Sequence, residues 1–262
     1  MFKRFVLKLS GEAIGKQRVL KSSGEPDGAK DEKIVYGYDD ELIDLVVSQI
    51  NTCLQAGNEI SLVVGGGNYW RGLSARPDMN RVKADHVGML ATVMNALYLE
   101  EAFKRGNRNA VTLTPFAFGN FTEQYEKNKA LRYLESGCVV ISAAGLGHPF
   151  FTTDTVTALR AAELEADCVL FAKNKVDGVY NSNPSINKSA KKYKSLSYKT
   201  FIETDLRVAD HAAIQLLNDE KIPAFAFSML EKNAIIDAVN YPQTNNLNGT
   251  FLSSSEQDIL YV

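Results

Sequence analysis

Histidine, cysteine and tryptophan are scarce in this chain of 262 residues, which holds three, three and one of them. The cysteines, Cys53, Cys138 and Cys168, are odd in number and lack the Cys-x-x-Cys spacing of a zinc or redox site. Cys138 and Cys168 each open an apolar run, where cysteine behaves as a small core residue. Neither a metal site nor a disulfide framework is expected of them, and a reducing compartment is the default. His86, His148 and His211 are scattered, so no histidine metal centre is expected. No window reaches the roughly 18 apolar residues that cross a bilayer. The start, "MFKRFVLKLSG", has too short an apolar run for a secretion signal, and a cytoplasmic location is expected. Neither sign of charge is in excess. The 29 basic and 31 acidic residues leave a net charge of −2, which argues against bulk attraction to nucleic acid or to an anionic membrane.

The familiar signatures of phosphate and hydrolase sites are missing too. No G-x-x-x-x-G-K-[ST] occurs, which excludes a P-loop, and neither G-x-S-x-G nor H-E-x-x-H is found. "GGGNYW" fails G-x-G-x-x-G because Trp70 stands where the third glycine would be.

What is present is a series of short apolar runs rich in Val, Ile and Phe: residues 4–9, 59–64, 109–114, 138–142, 168–172 and 224–228. Helical patterns separate several of them. In "DHVGMLATVMNALYLEEAFKRG", Val87, Leu90, Met94, Leu97 and Tyr98 mark one face, Asp85 is a candidate N-cap and Gly106 a stop. "TTDTVTALRAAELEAD" starts a second helix with Thr153 or Asp154 at the cap, and a third runs over about 210–220. This alternation predicts an α/β protein whose mainly parallel sheet is covered on both faces. Two segments stand apart. Residues 16–38 read as a long loop or a short hairpin. Residues 181–199, rich in lysine, are either a solvated surface or a loop beside a bound polyphosphate. No linker divides the chain, so a single domain over 1–262 is expected.

In open α/β sheets, ligands lie beyond the carboxyl ends of the strands. There the chain places Lys8 and Ser10-Gly11-Glu12, then Gly65-Gly66-Gly67-Asn68 with Arg71, then "AAGLGHPFFTTD" and "KNKVDGVYNSNP". Three glycines in a row cost entropy that a plain turn does not need. Backbone donors that approach closely, with cations beside them, are the means of holding phosphate. Asp85 and Asp154 stand where helices begin, and each is either a cap or a functional carboxylate.

"KLSGEA", "GGGNYWRG", "MNRVKADHVGMLATVMN", "GHPFFTTDT" and "NKVDGVYNSNP", in this order and spacing, resemble the bacterial uridylate (UMP) kinases of the amino-acid-kinase fold family. The resemblance covers nearly the whole chain. It implies a three-layer α/β/α sandwich, with an acceptor-binding part over roughly 1–165 and an ATP-binding part over roughly 166–262. It implies transfer of the γ-phosphoryl of ATP to UMP, with Mg2+ accompanying ATP and no metal held by protein groups alone. Lys8, Asp154 and Asp210 would be catalytic. Lys8, Leu9, Ser10, Gly11, Gly67 and Arg71 would lie against the ATP phosphates, and Asn174, Tyr180 and Asn183 against its nucleoside. Gly66 would contact UMP, Asp85 its ribose, and the run Leu146, Gly147, His148, Pro149, Phe150, Phe151, Thr152 and Thr153 would wrap the rest. Leu146, His148 and Asn183 depart from the Thr, Asn and Asp usual in the family, and the 16–38 segment is longer than usual. The resemblance further implies a homo-oligomer, a hexamer, with GTP and UTP as effectors. The same fold also serves kinases of amino-acid or carbamate oxygens and, without catalysis, nucleotide-binding proteins. Lys8, Asp154 and Asp210 together argue against a mere binder.

Overall fold

Runs of Val, Ile, Leu and Phe without polar alternation are buried on both faces when they form strands. The computed structural model bears this out. It describes residues 2–20, 32–70, 76, 78–173, 177–184, 186–204, 206, 209–244, 248–255 and 257–261. In chain order the elements are β1 (Arg4–Leu9), β2 (Lys16–Leu20), β3 (Glu32–Tyr36), α1 (Asp40–Gln55), β4 (Glu59–Val64), α2 (Arg81–Arg105), β5 (Ala110–Thr114), β6 (Glu123–Gln124), α3 (Lys127–Glu135) and β7 (Val139–Ser142). There follow α4 (Thr153–Glu163), β8 (Cys168–Lys173), β9 (Tyr193–Ser197), α5 (Tyr198–Glu203), α6 (His211–Asp219), β10 (Ala224–Ser228), α7 (Ala234–Thr244), β11 (Gly249–Ser253) and β12 (Ile259–Leu260).

Ten strands form one sheet in the order β12-β9-β11-β10-β8-β1-β4-β7-β5-β6. Pairing is parallel from β10 through β8, β1, β4, β7 and β5 to β6, and antiparallel between β10 and β11 and between β9 and β12. Alternation along β1 sorts the two faces. Phe5, Leu7 and Leu9 pack with Ile43 and Ile50 of α1, Phe103 of α2 and Ile235 of α7. Val6 and its neighbours Val63 and Phe171 pack with Val156 of α4, Phe201 of α5 and Ile214 of α6. The result is the expected three-layer α/β/α sandwich. Lys8 follows Leu7 and so projects on the α4 side. No helix among the described residues is long and apolar enough to cross a membrane.

The sequence reading needs three corrections. α2 begins at Arg81, where the Asn80 side chain accepts hydrogen bonds from the Val82 and Lys83 N–H groups, so Asp85 is no cap. Of the face marked by Val87, Leu90, Met94, Leu97 and Tyr98, only Leu97 and Tyr98 pack on the core; Val87, Leu90 and Met94 are 36, 51 and 49 % exposed. The helix instead buries Ala84, Ala91, Thr92, Val93, Asn95, Ala96, Leu99, Ala102 and Phe103. Small residues lead that list because the helix lies directly against the glycine loop, where a Cβ on Gly66 would come within 2.9 Å of the Ala91 Cβ. The cap of α4 is Thr152, one residue before the expected pair.

Of the two open segments, 16–38 holds an antiparallel pair, β2 with β3, with Lys16 opposite Tyr36 and separate from the main sheet; residues 21–31 lie outside the described residues. In 181–199, Lys188 and Lys191 are solvated, whereas Lys192 pairs with Asp177 at 2.9 Å.

Candidate active site at the carboxyl ends of the central strands

β1, β4 and β8 run parallel, with Leu9 in register with Val64 and Ala172. Their carboxyl ends therefore open on one edge. Lys8, one residue from the end of β1, is buried and ion-paired with Asp154 in the first turn of α4, at 2.9 Å. Burial alone would raise the Asp154 pKa. The Lys8 and Lys173 charges override it and hold the carboxyl below its ordinary value. Thr152, Asp154 and Asp210 divide the local work. Thr152 caps α4, accepting from the Asp154 and Thr155 N–H groups. Asp210 caps α6, accepting from the Ala213 N–H at 2.7 Å, and its second oxygen accepts from the hydroxyls of Thr155, at 2.8 Å, and Thr152. Asp210 thus ties together the N-termini of two helices, and each N-terminus favours an anion. Asp154, freed from capping, faces Lys8.

The glycines answer to the protein before they answer to any ligand. Gly65 donates its N–H to the Leu9 carbonyl at 2.8 Å. A Cβ on Gly11 would lie 2.4 Å from the Gly67 nitrogen, so the Ser10–Gly11 turn and the glycine loop touch backbone to backbone. The loop is held by a buried amide pair. Asn95 donates to the Gly65 carbonyl at 2.6 Å and to the Asn68 side-chain oxygen at 2.7 Å, while Asn68 donates to the Gly37 carbonyl at 2.9 Å. Among the three loop glycines, only Gly67 has a Cβ site blocked by a flexible side chain alone, that of Glu12 at 3.2 Å.

Beside this loop opens a pocket of about 160 Å³ lined by Gly66, Asp85, His148, Phe151, Thr152 and Thr153, all expected from sequence. Trp70, Ala84, Gly88, Met89, Thr92 and Gly145 complete the lining. Trp70 is fixed by its indole N–H, which donates to the Ala84 carbonyl at 2.8 Å. Asp85 fastens α2 to the opposite wall: one oxygen accepts from the Phe150 N–H at 2.8 Å, and Arg81 Nε donates to both oxygens at 2.9 and 3.0 Å. Burial would raise the Asp85 pKa, but the Phe150 N–H and the Arg81 charge bring it below the ordinary value. Phe150 has a φ of +73°, a conformation that costs a non-glycine residue about 1–3 kcal/mol. The bond to Asp85 accompanies that strain.

Not every expected residue lines the pocket. Leu146 packs on the core under α4 and α6, and Gly147 abuts Pro115 and Phe116. Tyr180 donates its hydroxyl to Asp177 at 2.8 Å, and Asn183 is exposed in the segment after it, its carbonyl accepting from the Asn187 N–H. Arg71 and Asn174 lie outside the described residues. Sequence reasoning missed Arg81, Asn95, Thr155 and Lys173. Lys173 had a visible signal, because it ends an apolar strand much as Lys8 does.

No group of three or more metal-ligating side chains exists among the described residues. Asp154 and Asp210 nonetheless suit Mg2+, which is commonly held by one or two carboxylates plus substrate phosphates. Asp154 Oδ1 has a charge contact with Lys8 but no aligned hydrogen bond, so it keeps acceptor capacity for a cation arriving with a nucleotide.

A buried lysine–aspartate pair, two helix N-termini and a glycine loop beside a carboxylate-walled pocket are the apparatus of a phosphoryl-transfer enzyme. The profile of the amino acid kinase family matches residues 3–228, and the chain belongs to that family; it is a kinase. It is similar to the solved UMP kinase of Bacillus anthracis, with 31 % identity and a TM-score of 0.87 over 100 % of this chain and 99 % of that one. It is likewise similar to the solved UMP kinase of Ureaplasma parvum, with 32 % identity and a TM-score of 0.82 over 96 % of this chain and 98 % of that one.

Proposed function

We propose that this kinase transfers the γ-phosphoryl group of Mg-ATP to UMP, giving ADP and UDP for pyrimidine nucleotide synthesis. The observation that carries the reading is the single pocket shared by Asp85 and Thr153, which ends one residue from the Lys8–Asp154 pair. A carboxylate on the far wall suits the two hydroxyls of a ribose, and the threonines and helix N-terminus suit its phosphate. Similarity to solved UMP kinases supports the same assignment.

In this reading the part up to about residue 165 holds the acceptor and the remainder holds ATP. Gly66 and the 146–153 run receive UMP, with His148, Phe151, Thr152 and Thr153 at the pocket wall. Leu146 and Gly147 support that wall from behind, and Phe150 contributes its backbone. Lys8, Leu9, Ser10, Gly11, Gly67 and Arg71 meet the ATP phosphates, and Asn174, Tyr180 and Asn183 the ATP nucleoside. Asp154 orients Lys8 and, with Asp210, holds the magnesium that ATP brings. Catalysis of this kind is in-line positioning plus neutralisation of shifting phosphoryl charge. Lys8 and the loop amides meet that charge, and a loose transition state needs no strong general base.

The protein works in the cytoplasm as a homo-oligomer, and the exposed apolar stripe Val87, Leu90 and Met94 on α2 is the surface best suited to bury. The hexamer, and GTP and UTP as effectors, rest on the resemblance. Sedimentation checks the assembly: Leu90→Glu with Met94→Glu is expected to lower the mass, and an unchanged mass removes the stripe from the interface.

Release of ADP from Mg-ATP, with UMP, CMP, dUMP, aspartate, glutamate and carbamate offered singly, tests the reaction. Turnover with UMP is expected; turnover only with an amino acid or carbamate keeps the fold and overturns the acceptor. Asp85→Asn is expected to raise the KM for UMP by roughly 10- to 100-fold, with the KM for ATP nearly unchanged. Equal rises for both substrates make Asp85 a strut between α2 and Phe150 rather than a ribose ligand.

A further inference from the structure

Lys173 is the last residue of β8, and no role assigned so far uses it. β8 and β1 are paired so that Phe171 lies opposite Lys8. Residues two apart on a strand share a face, so Lys173 projects on the Lys8 side, one step further towards the open edge. On its other flank it is in register with Ser228 of β10. It is partly buried, with its ammonium 5.7 Å from the centroid of the Phe171 ring. Among the described residues no carboxylate lies within ion-pair distance of it. Asp154 pairs with Lys8, and Asp210 accepts from Ala213, Thr152 and Thr155.

This lysine sits where electrostatics disfavour it. Burial and then the Lys8 charge push its pKa down to about 8, against the weaker upward pull of Asp154, Glu12 and Asp210. Proteins keep an unpaired, partly desolvated cation mainly where an anion arrives to use it. We propose that Lys173 is a second phosphate-binding cation, whose ammonium joins that of Lys8 on the phosphate chain of the nucleotide donor. The inference rests on the reading of this site as a nucleotide kinase centre.

The chemistry gives the second cation a distinct task. The bond between the γ-phosphorus and the oxygen bridging to the β-phosphate breaks, and its electron pair stays on that oxygen. An oxygen of the acceptor phosphate forms the new bond to phosphorus, and no proton is gained or lost. Negative charge therefore moves from acceptor to leaving group. The Lys8 ammonium is shared with Asp154, while that of Lys173 is uncommitted and can meet the leaving oxygen with its full charge.

Lys173→Met keeps the apolar stem and removes the charge; Lys173→Arg keeps the charge. Binding of Mg-AMPPNP, kcat with UMP and the thermal midpoint without nucleotide would be measured for both variants and the parent. For Lys173→Met, affinity is expected to fall roughly tenfold and kcat roughly 10²–10³-fold. Its midpoint should hold or rise by about 2–4 °C, since removing an unpaired cation relieves the fold. Lys173→Arg should recover part of the affinity. Parental affinity and kcat in Lys173→Met overturn the proposal, as does a lowered midpoint with normal turnover, which makes Lys173 a packing residue. If the parent binds Mg-AMPPNP but does not phosphorylate UMP, the acceptor assignment fails while the binding comparison still decides Lys173. A parent that binds no nucleotide overturns both.

Discussion

Lys8→Ala is expected to lower kcat by roughly 10³-fold, with a smaller change in the KM for UMP. The ammonium it removes is buried at the end of β1 and held 2.9 Å from Asp154, where it can serve transferred charge without reorganising. The same change has a second consequence. Breaking a buried ion pair by deleting one partner costs about 3–5 kcal/mol, because the other charge is left in the interior. Lys173 lies close enough to lower the Asp154 pKa, so part of that cost is compensated here. Lost activity in Lys8→Ala therefore has two sources, and a second variant separates them. Lys8→Met combined with Asp154→Asn removes both charges, and is expected to recover most of the thermal midpoint but none of the turnover. Midpoints and kcat for the three proteins check this; recovered turnover in the double variant would remove Lys8 from the chemistry. In the parent protein the sign of the pH dependence is fixed by the depressed Asp154 pKa. The pair stabilises the fold above the ordinary carboxylate value, about 3.9, and that contribution is lost as pH falls through the lower folded value.

The central strands were legible because nothing about them is ambiguous. "CVLFA", "AFAF" and the end of "EISLVV" are apolar at successive positions, and the strands that hold them are buried almost throughout. Helix α2 was misread for a physical reason. Its large apolar residues, Val87, Leu90 and Met94, face outward, because the inner face must be small to lie against Gly66. Hydrophobicity alone cannot report that a neighbour leaves room for a methyl group and no more. Asp85 looked like a cap because it opens a polar-to-apolar change, yet its carboxylate is committed to Phe150 and Arg81, and Phe150 is far away in sequence. Asn95 was invisible for the converse reason: an asparagine on an amphipathic helix reads as solvent-facing, and only the fold brings it to Asn68. Lys8, Asp154 and Asp210 stand out through the resemblance, and the structure sets Lys8 against Asp154 and Asp210 against Thr152 and Thr155. The structure adds a division of labour among them, with Asp210 rather than Asp154 as the helix cap.

Gly11→Ala is expected to damage both stability and turnover, although a single methyl group is added. That methyl carbon would lie 2.4 Å from the Gly67 nitrogen, 2.6 Å from the Asn68 side-chain oxygen and 2.8 Å from the Gly65 carbonyl. Two of these are backbone atoms of the glycine loop, and the third accepts from Asn95. None can yield without moving the loop away from β1. Overpacking of this severity costs about 3 kcal/mol, which lowers the thermal midpoint of a chain this size by roughly 10 °C. Displacing phosphate-binding amides by an ångström costs roughly 10²-fold in turnover. Gly67→Ala is the contrasting variant, because its methyl group meets only the flexible Glu12 side chain at 3.2 Å and beyond. It is expected to keep the parental midpoint within about 2 °C and to lose affinity for Mg-ATP. Thermal melts and ATP titrations of the two proteins separate the purposes of the glycines: Gly11, with Gly65 and Gly66, lets the loop dock on β1 and α2, and Gly67, in the proposed function, keeps room for phosphate. A Gly67→Ala protein that melts normally and binds Mg-ATP normally would leave the whole glycine run to packing.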